Sequence, residues 1–196
     1  MQEQNMIVID TRMPYAYAGA HIPNSMSVWL GGTSAYTGWI FDTDQYIVFV
    51  HERSADMDQA AAYLRRMGFD NMCGYLCGGM MEWQEAGKPI KNTGTMSVIE
   101  LKNKLDKGEV LLVDVREPSE WKEEGTVEGA RRIFFVDLPE KASSLPKDKP
   151  LAATCSVGKR SSIAVSMLER AGFKNVTNVL GGMTAWTNLG YPTTKP

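Results

Sequence analysis

Apolar residues in this chain come in short runs that end on charge. Met6-Ile7-Val8-Ile9 leads into Asp10-Thr11-Arg12, and Val110-Leu111-Leu112-Val113 leads into Asp114-Val115-Arg116. Runs of this length, bounded by polar residues, predict buried strands. A shift of 104 residues, from Asp10 to Asp114, superposes the two runs and much of the sequence downstream of them. Pro14 then falls on Pro118, Tyr17 on Trp121, residues 46–50 on residues 150–154, and Gly68-Phe69-Asp70-Asn71 on Gly172-Phe173-Lys174-Asn175. After a one-residue slip, Gly78-Gly79-Met80 meets Gly181-Gly182-Met183, Trp83 meets Trp186, and Gly87 with Pro89 meets Gly190 with Pro192. The chain is one domain pattern written twice.

Each copy alternates apolar strands with helical stretches, as in residues 48–50, then 58–67, then the strand near Tyr75. Such alternation predicts an α/β fold: two tandem domains, each a parallel sheet of about five strands flanked by helices. The domains are placed at residues 1–90 and 96–196, with the polar, Pro- and Gly-containing tract Lys88 to Thr95 as the linker. Ser97 followed by Glu100 predicts a capping box that opens a helix. The first copy has no counterpart of that helix, because its first strand begins almost at Met6. This implies a chain cut from a longer polypeptide or a domain trimmed at its start, with a sheet edge that is exposed or paired to something else.

Composition narrows the chemistry. Twenty-one Lys and Arg stand against 23 Asp and Glu with no basic block, which argues against nucleic acid and membrane surfaces as partners. No apolar run approaches a membrane span, and Met1-Gln2-Glu3-Gln4-Asn5 lacks the regions of a signal peptide, so the expected location is cytoplasmic. Cys73, Cys77 and Cys155 are too few for a disulfide framework, and His21 and His51 leave little for a metal site. Neither a metal nor an organic cofactor is expected. Cys73 and Cys77 lie four apart on a predicted strand, too far for a disulfide, and are expected to fill core positions opposite Val176 and Leu180.

The stretch that carries chemistry is Leu151-Ala152-Ala153-Thr154-Cys155-Ser156-Val157-Gly158-Lys159-Arg160-Ser161-Ser162. A strand delivers a cysteine to a tight loop, and a helix starts right after it. Backbone N–H groups from Ser156 to Ser161, the positive end of the helix and the cations Lys159 and Arg160 all favour an anion on Cys155. A free thiol titrates near ~8.5, and helix N-termini with neighbouring cations lower that to roughly 3.5–7.5, which predicts a nucleophilic thiolate. Arg160 is expected to contact substrate and Lys159 to line the entrance. Asp114 with Arg116, and Asp10 with Arg12, are expected to pair at strand ends and shape the pocket floor, and His21 to make structural hydrogen bonds.

The second copy resembles the rhodanese family through Asp114-Val115-Arg116-Glu117 with Trp121, the turn Gly125-Thr126-Val127-Glu128-Gly129-Ala130, the Cys155 loop, and Leu180-Gly181-Gly182-Met183 with Trp186. The resemblance implies a sulfurtransferase. Cys155 would take sulfane sulfur from thiosulfate, polysulfide or a low-molecular-weight persulfide and pass it to a thiol or cyanide. The first copy resembles the same family through Ile9-Asp10-Thr11-Arg12, residues 19–25, and Gly78-Gly79-Met80 with Trp83, but His51 stands where the cysteine belongs. Imidazole holds no stable sulfane sulfur, and Glu52 with Asp56 repels anions, so the loop His51-Glu52-Arg53 reads as a degenerate site. A silent copy before an active one is also similar to the C-terminal half of proteins that begin with a metallo-β-lactamase-like, persulfide-oxidising domain. That likeness implies a fused or associated domain of this type.

Two other classes remain as alternatives. Cys-dependent phosphatases and arsenate reductases on a rhodanese-like fold use five residues between the cysteine and the arginine, and four separate Cys155 from Arg160 here. A non-catalytic persulfide carrier, with the first domain as a docking surface in a larger sulfide-oxidising protein, is the other.

Overall fold

A computed structural model describes residues 5–195, and the chain divides into two compact units between Asn92 and Thr93. In the first unit β1 (Met6–Asp10), α1 (Pro14–Gly19), β2 (Met26–Ser27), α2 (Leu30–Ile40), β3 (Tyr46–Val50), α3 (Ala55–Arg66), β4 (Met72–Tyr75) and α4 (Gly79–Glu85) succeed one another. The second runs β5 (Gly94–Met96), α5 (Val98–Asp106), β6 (Leu111–Asp114), α6 (Pro118–Glu124), β7 (Arg131–Arg132), α7 (Leu138–Lys141), β8 (Leu151–Thr154), α8 (Lys159–Arg170), β9 (Val176–Val179) and α9 (Gly182–Asn188). The strand ladders are parallel, in the orders β2-β1-β3-β4 and β5-β9-β8-β6-β7. Both units are thus α/β with helices flanking a parallel sheet, as the alternation predicts. Their strand numbers differ, four against five.

The extra strand has a local cause. Ser97 caps α5 with the capping box its spacing predicts: Glu100 N–H donates to Ser97 Oγ at 3.2 Å, and Ser97 N–H donates to the Glu100 carboxylate at 3.0 Å. That turn sends β5 along β9 and drops Met96, Val98 and Leu101 into a core with Val110, Leu112, Val179, Met183 and Trp186. The first unit has no such element ahead of β1 among the described residues.

The one-residue slip in the repeat is visible as a bulge. Ile47 pairs with Met72 and Val48 with Gly74, whereas Leu151 and Ala152 pair with the consecutive residues Val176 and Thr177. Cys73 is therefore the extra residue of β4 and has no counterpart in β9. This corrects the expectation for both thiols: Cys73 and Cys77 are exposed, not core. A bulged residue leaves the ladder and loses the inward direction that alternation would give it. Cys77 matches Leu180, which is itself exposed.

The tract expected as a linker is fastened along its length. His21 and Lys91 exchange backbone hydrogen bonds at 2.8 and 2.9 Å, Trp83 Nε1 donates to Pro89 O, and Gly94 to Met96 is β5. Polar composition signalled loop, but the backbone groups of an extended segment are satisfied by whichever edge lies beside it.

The repeated Asp-x-Arg closes each strand end in the same way. Arg116 is wholly buried, binds both Asp114 oxygens, and reaches Glu124 at 2.7 Å and the Gly125 carbonyl at 2.5 Å. Arg12 binds Asp10 and the Ala20 carbonyl. Each guanidinium ties the end of a central strand to the turn after the next helix, the structural pairing expected of them. Removing one partner of such a buried pair costs about 3–5 kcal/mol, because the other charge is left unmatched. Among the described residues no helix is long and apolar enough to cross a membrane.

Candidate active site

Cys155 follows β8 directly, at the carboxyl end of a central strand, where open parallel sheets present ligand sites. The residue is only 1% exposed. Gly158 N–H donates to its Sγ at 3.2 Å, and Ser161 Oγ lies 3.5 Å from the same atom. Gly158 opens α8 in the left-handed region, φ 95°, and a Cβ there would meet the Val179 carbonyl at 3.1 Å. A side chain at this position would strain the turn that brings the N–H to the sulfur.

The loop is held from behind by α9. Met183 N–H donates to the Cys155 carbonyl at 2.8 Å and Thr184 N–H to the Ser156 carbonyl at 2.9 Å. In a planar trans peptide the N–H points opposite to its C=O, so the Ser156 and Val157 N–H groups face away from α9. Asn178 braces the other side: it is buried on β9, accepts from Ser161 Oγ at 2.6 Å and donates to the Gly158 carbonyl at 2.9 Å. Ser161 Oγ thus sits between Asn178 Oδ1 and the Cys155 sulfur, and Asn178 fixes the hydroxyl beside the thiol.

Arg160 is engaged elsewhere than expected. Its Nη1 and Nη2 bind the two oxygens of Glu120 at 2.6 and 2.7 Å, and Nη2 also donates to Ser156 Oγ. Ser156 Oγ in turn donates to Glu120 at 2.9 Å. Burial alone would raise the Glu120 pKa, but hydrogen bonds from Arg160, the Glu117 N–H and Ser156, with the Arg160 charge, hold it down to about 2. The fork therefore closes the loop onto α6. Lys159 is half-buried in the first turn of α8, and Val157 stands exposed at the loop tip.

Because the folded pKa of Glu120 lies below its ordinary 4.5, the pair stabilises the second unit fully above that value and loses its contribution as pH falls toward 2. Glu120→Gln is expected to melt a few degrees below wild type at pH 7, with the gap closing in melts run at successively lower pH. A gap that is constant with pH would show that the carboxylate charge is not what holds Arg160.

The first unit places His51 at the matching strand end, with a different loop. Ser54 occupies the position of Gly158 but lies in the right-handed region, φ −56°, so the turn that aims an N–H at the central residue is not made. His51 is buried, and its Nδ1 lies 2.8 Å from Thr11 Oγ1. Thr11 Oγ1 donates its own proton to the Val50 carbonyl, so Nδ1–H is the donor to Thr11 and Nε2 carries the lone pair. Burial lowers the His51 pKa against the opposing pull of Asp56 and Asp10, which keeps the ring neutral at pH 7. Arg53 pairs with Asp56 at 2.8 Å, and a cavity of about 230 Å³ is lined by His51, Glu52, Arg53, Ser54, Tyr75 and Leu76, with Gly78 and Gly79. His21 is buried, stacked on Tyr17, with Nδ1 on the Tyr17 carbonyl.

Sequence reading missed Glu120 and Asn178. Glu120 lies forty positions before Arg160, and no spacing rule links them. Asn178 left a signal, an amide within the short strand Val176-Thr177-Asn178-Val179. Among the described residues no group of His, Cys, Asp and Glu is arranged to hold a metal ion.

The cysteine thus lies buried at a parallel-strand end, beneath a short loop that opens a helix, in one of two copies of a repeated α/β domain. The chain belongs to the rhodanese family: the rhodanese-like domain matches twice, over residues 1–86 and 97–189. It is 44% identical over 92 residues to YtwF of Bacillus subtilis, covering 46% of this chain and 87% of that protein. It is 35% identical to a sulfurtransferase of Allochromatium vinosum, covering 46% and 84% of the two chains. To the thiosulfate sulfurtransferase GlpE of Pseudoalteromonas translucida it is 29% identical, covering 46% and 86%. These relatives have the length of one unit, and their similarity supports a sulfur-transfer role.

Proposed function

We propose that the second unit is a sulfurtransferase that carries sulfane sulfur as a persulfide on Cys155. The observation that carries this reading is the near-complete burial of Cys155 beneath a four-residue loop, with Gly158 N–H on its sulfur. A slim terminal sulfur atom suits so recessed a thiol, whereas a tetrahedral phosphoryl group needs the roomier loop of a phosphatase. In the forward step the Cys155 thiolate attacks the outer sulfur of a donor R–S–S⁻. The donor S–S bond breaks, R–S⁻ leaves with the electron pair, and Cys155–S–S⁻ remains. With thiosulfate the leaving group is sulfite. An acceptor thiolate or cyanide then attacks the outer sulfur and releases the Cys155 thiolate. The loop N–H groups offset the negative charge in both resting forms.

Arg160 acts in this reading through its pairing with Glu120 and Ser156, which fixes the loop, and Lys159 and Val157 flank the approach. The first unit contributes no sulfur transfer, since His51 lacks both a sulfur atom and a cradle. A carrier role within a larger sulfide-oxidising assembly is compatible with the same persulfide, and a metallo-β-lactamase-like domain as its donor rests on the sequence resemblance alone.

The test is the intact mass of the protein after thiosulfate or glutathione persulfide and rapid desalting. One added sulfur, removed by cyanide, is expected, and His51→Ala is expected to load and discharge as wild type does. Failure to gain sulfur from either donor would sink the proposal. Loss of loading in His51→Ala would overturn the silent reading of the first unit.

A further inference from the structure

Among the described residues two polar groups lie against the Cys155 sulfur, the Gly158 N–H at 3.2 Å and Ser161 Oγ at 3.5 Å. One side chain from another element grips both of their residues. Asn178 donates from Nδ2 to the Gly158 carbonyl at 2.9 Å, and its Oδ1 lies 2.6 Å from Ser161 Oγ. Asn178 sits in β9, between β5 and β8, and is only 1% exposed. Asn is disfavoured in strands, and a buried amide costs free energy unless it is paired, so apolar residues are the ordinary occupants of such a place. Here the amide is paired entirely to the turn that faces the thiol. Gly158 is held at φ 95° and ψ 0°, its N–H on the sulfur and its carbonyl on Asn178. The first unit offers an internal comparison. Gly158, Ser161 and Asn178 correspond to Ser54, Met57 and Tyr75, of which Ser54 is right-handed and Tyr75 is 43% exposed. Where His51 stands instead of a thiol, none of the three is present.

We infer that Asn178 is a positioning residue for the nucleophile: by holding Gly158 and Ser161 against Sγ it favours the thiolate form of Cys155. A hydrogen bond weakens steeply as its angle opens, and one made to a charged group is worth more than a neutral one. Small drifts of Gly158 therefore matter most when the sulfur is an anion. Asn178 prevents such drift from outside the loop, through a side chain anchored on an inner strand. The inference rests on the sulfur-transfer reading for its place in the reaction. In that reading the charge sits on Sγ twice, when Cys155 attacks the donor and when it departs from the outer sulfur. Asn178 acts at both moments, while the resting persulfide carries its charge on the outer sulfur.

The experiment follows Cys155 in the whole chain across pH by two readouts. One is ultraviolet thiolate absorbance, taken as the difference from Cys155→Ser; the other is iodoacetamide alkylation of the Cys155 peptide, read by mass spectrometry. Asn178→Asp keeps the shape of the side chain but cannot donate to Gly158, and Asn178→Ser is uncharged but too short to hold both residues. Protected amides in β6 and β8 check that each variant is folded. In both, alkylation at pH 7 is expected to fall at least about tenfold, since a hydrogen bond to a charged group is weakened. The thiolate signal should then grow in at higher pH, and the alkylation deficit should close there. Ser161→Ala should lose less, and Ser161→Ala combined with Asn178→Ser no more than Asn178→Ser alone, because the two act through shared contacts. A deficit equal at every pH, an unmoved absorbance profile, faster alkylation, additive losses, or an effect confined to the charged Asp variant would overturn the inference. Neither readout uses a sulfur donor. A wild-type chain that takes up no sulfur while these profiles move as expected would remove the transfer reading and uphold the role of Asn178.

Discussion

Cys155→Ser is expected to abolish sulfur loading, with a fall in transfer of at least about a thousandfold, the order seen when a covalent nucleophile is removed. Serine matches the cysteine in shape, and its oxygen still accepts the Gly158 N–H that now reaches Sγ at 3.2 Å. The fold should therefore survive. What is lost is the atom that forms an S–S bond, and an alcohol in this position stays protonated at neutral pH. Intact mass and cyanide-dependent thiocyanate release are the readouts. Retained loading in the serine variant would move the sulfur to Cys73 or Cys77, the exposed thiols of the first unit, and end the case for the β8 loop.

Gly182→Ala is expected to have an effect nearly as large without touching the nucleophile. Gly182 begins α9 at φ 53°, and a Cβ there would stand 2.2 Å from the Cys155 carbonyl oxygen and 2.7 Å from the Ser156 carbonyl carbon and oxygen. Both obstacles are backbone, so no side-chain rotation relieves them. The helix must back away, and the bonds from Met183 and Thr184 to the loop carbonyls go with it. Gly190→Ala isolates this from simple left-handed strain: Gly190 lies at φ 71° with nothing within 4 Å of an added Cβ. It should cost only about 1–2 kcal/mol of strain and keep its loading rate. Thermal melts and initial loading rates on both variants separate the two causes. Equal damage in both would mean that α9 does not hold the loop.

The two predictions bear on one arrangement seen from front and back. The sulfur meets the Gly158 N–H, α9 holds the loop through the Cys155 and Ser156 carbonyls, and Glu120 ties Arg160 to Ser156 on the outer side. In the first unit the same strand end carries His51, Ser54 in place of the left-handed glycine, and a salt bridge from Arg53 to Asp56. The first unit thus has an imidazole where the second has a thiol, and a right-handed residue where the second has the left-handed Gly158.

Much of this could be read along the chain. The 104-residue repeat fixed two α/β units, Ser97 with Glu100 announced α5, and Cys155 between a strand and a helix marked the candidate site loop, because strand periodicity, caps and turns are properties of neighbouring residues. Three things needed the folded chain. Arg160 chose Glu120 from another helix, Asn178 came to Ser161 across β9, and Cys73 left the core through a bulge that appears only when β4 is laid beside β3. Local pattern records which way a residue would point. Which partner it meets there is decided by elements far apart in sequence, and only packing brings those together.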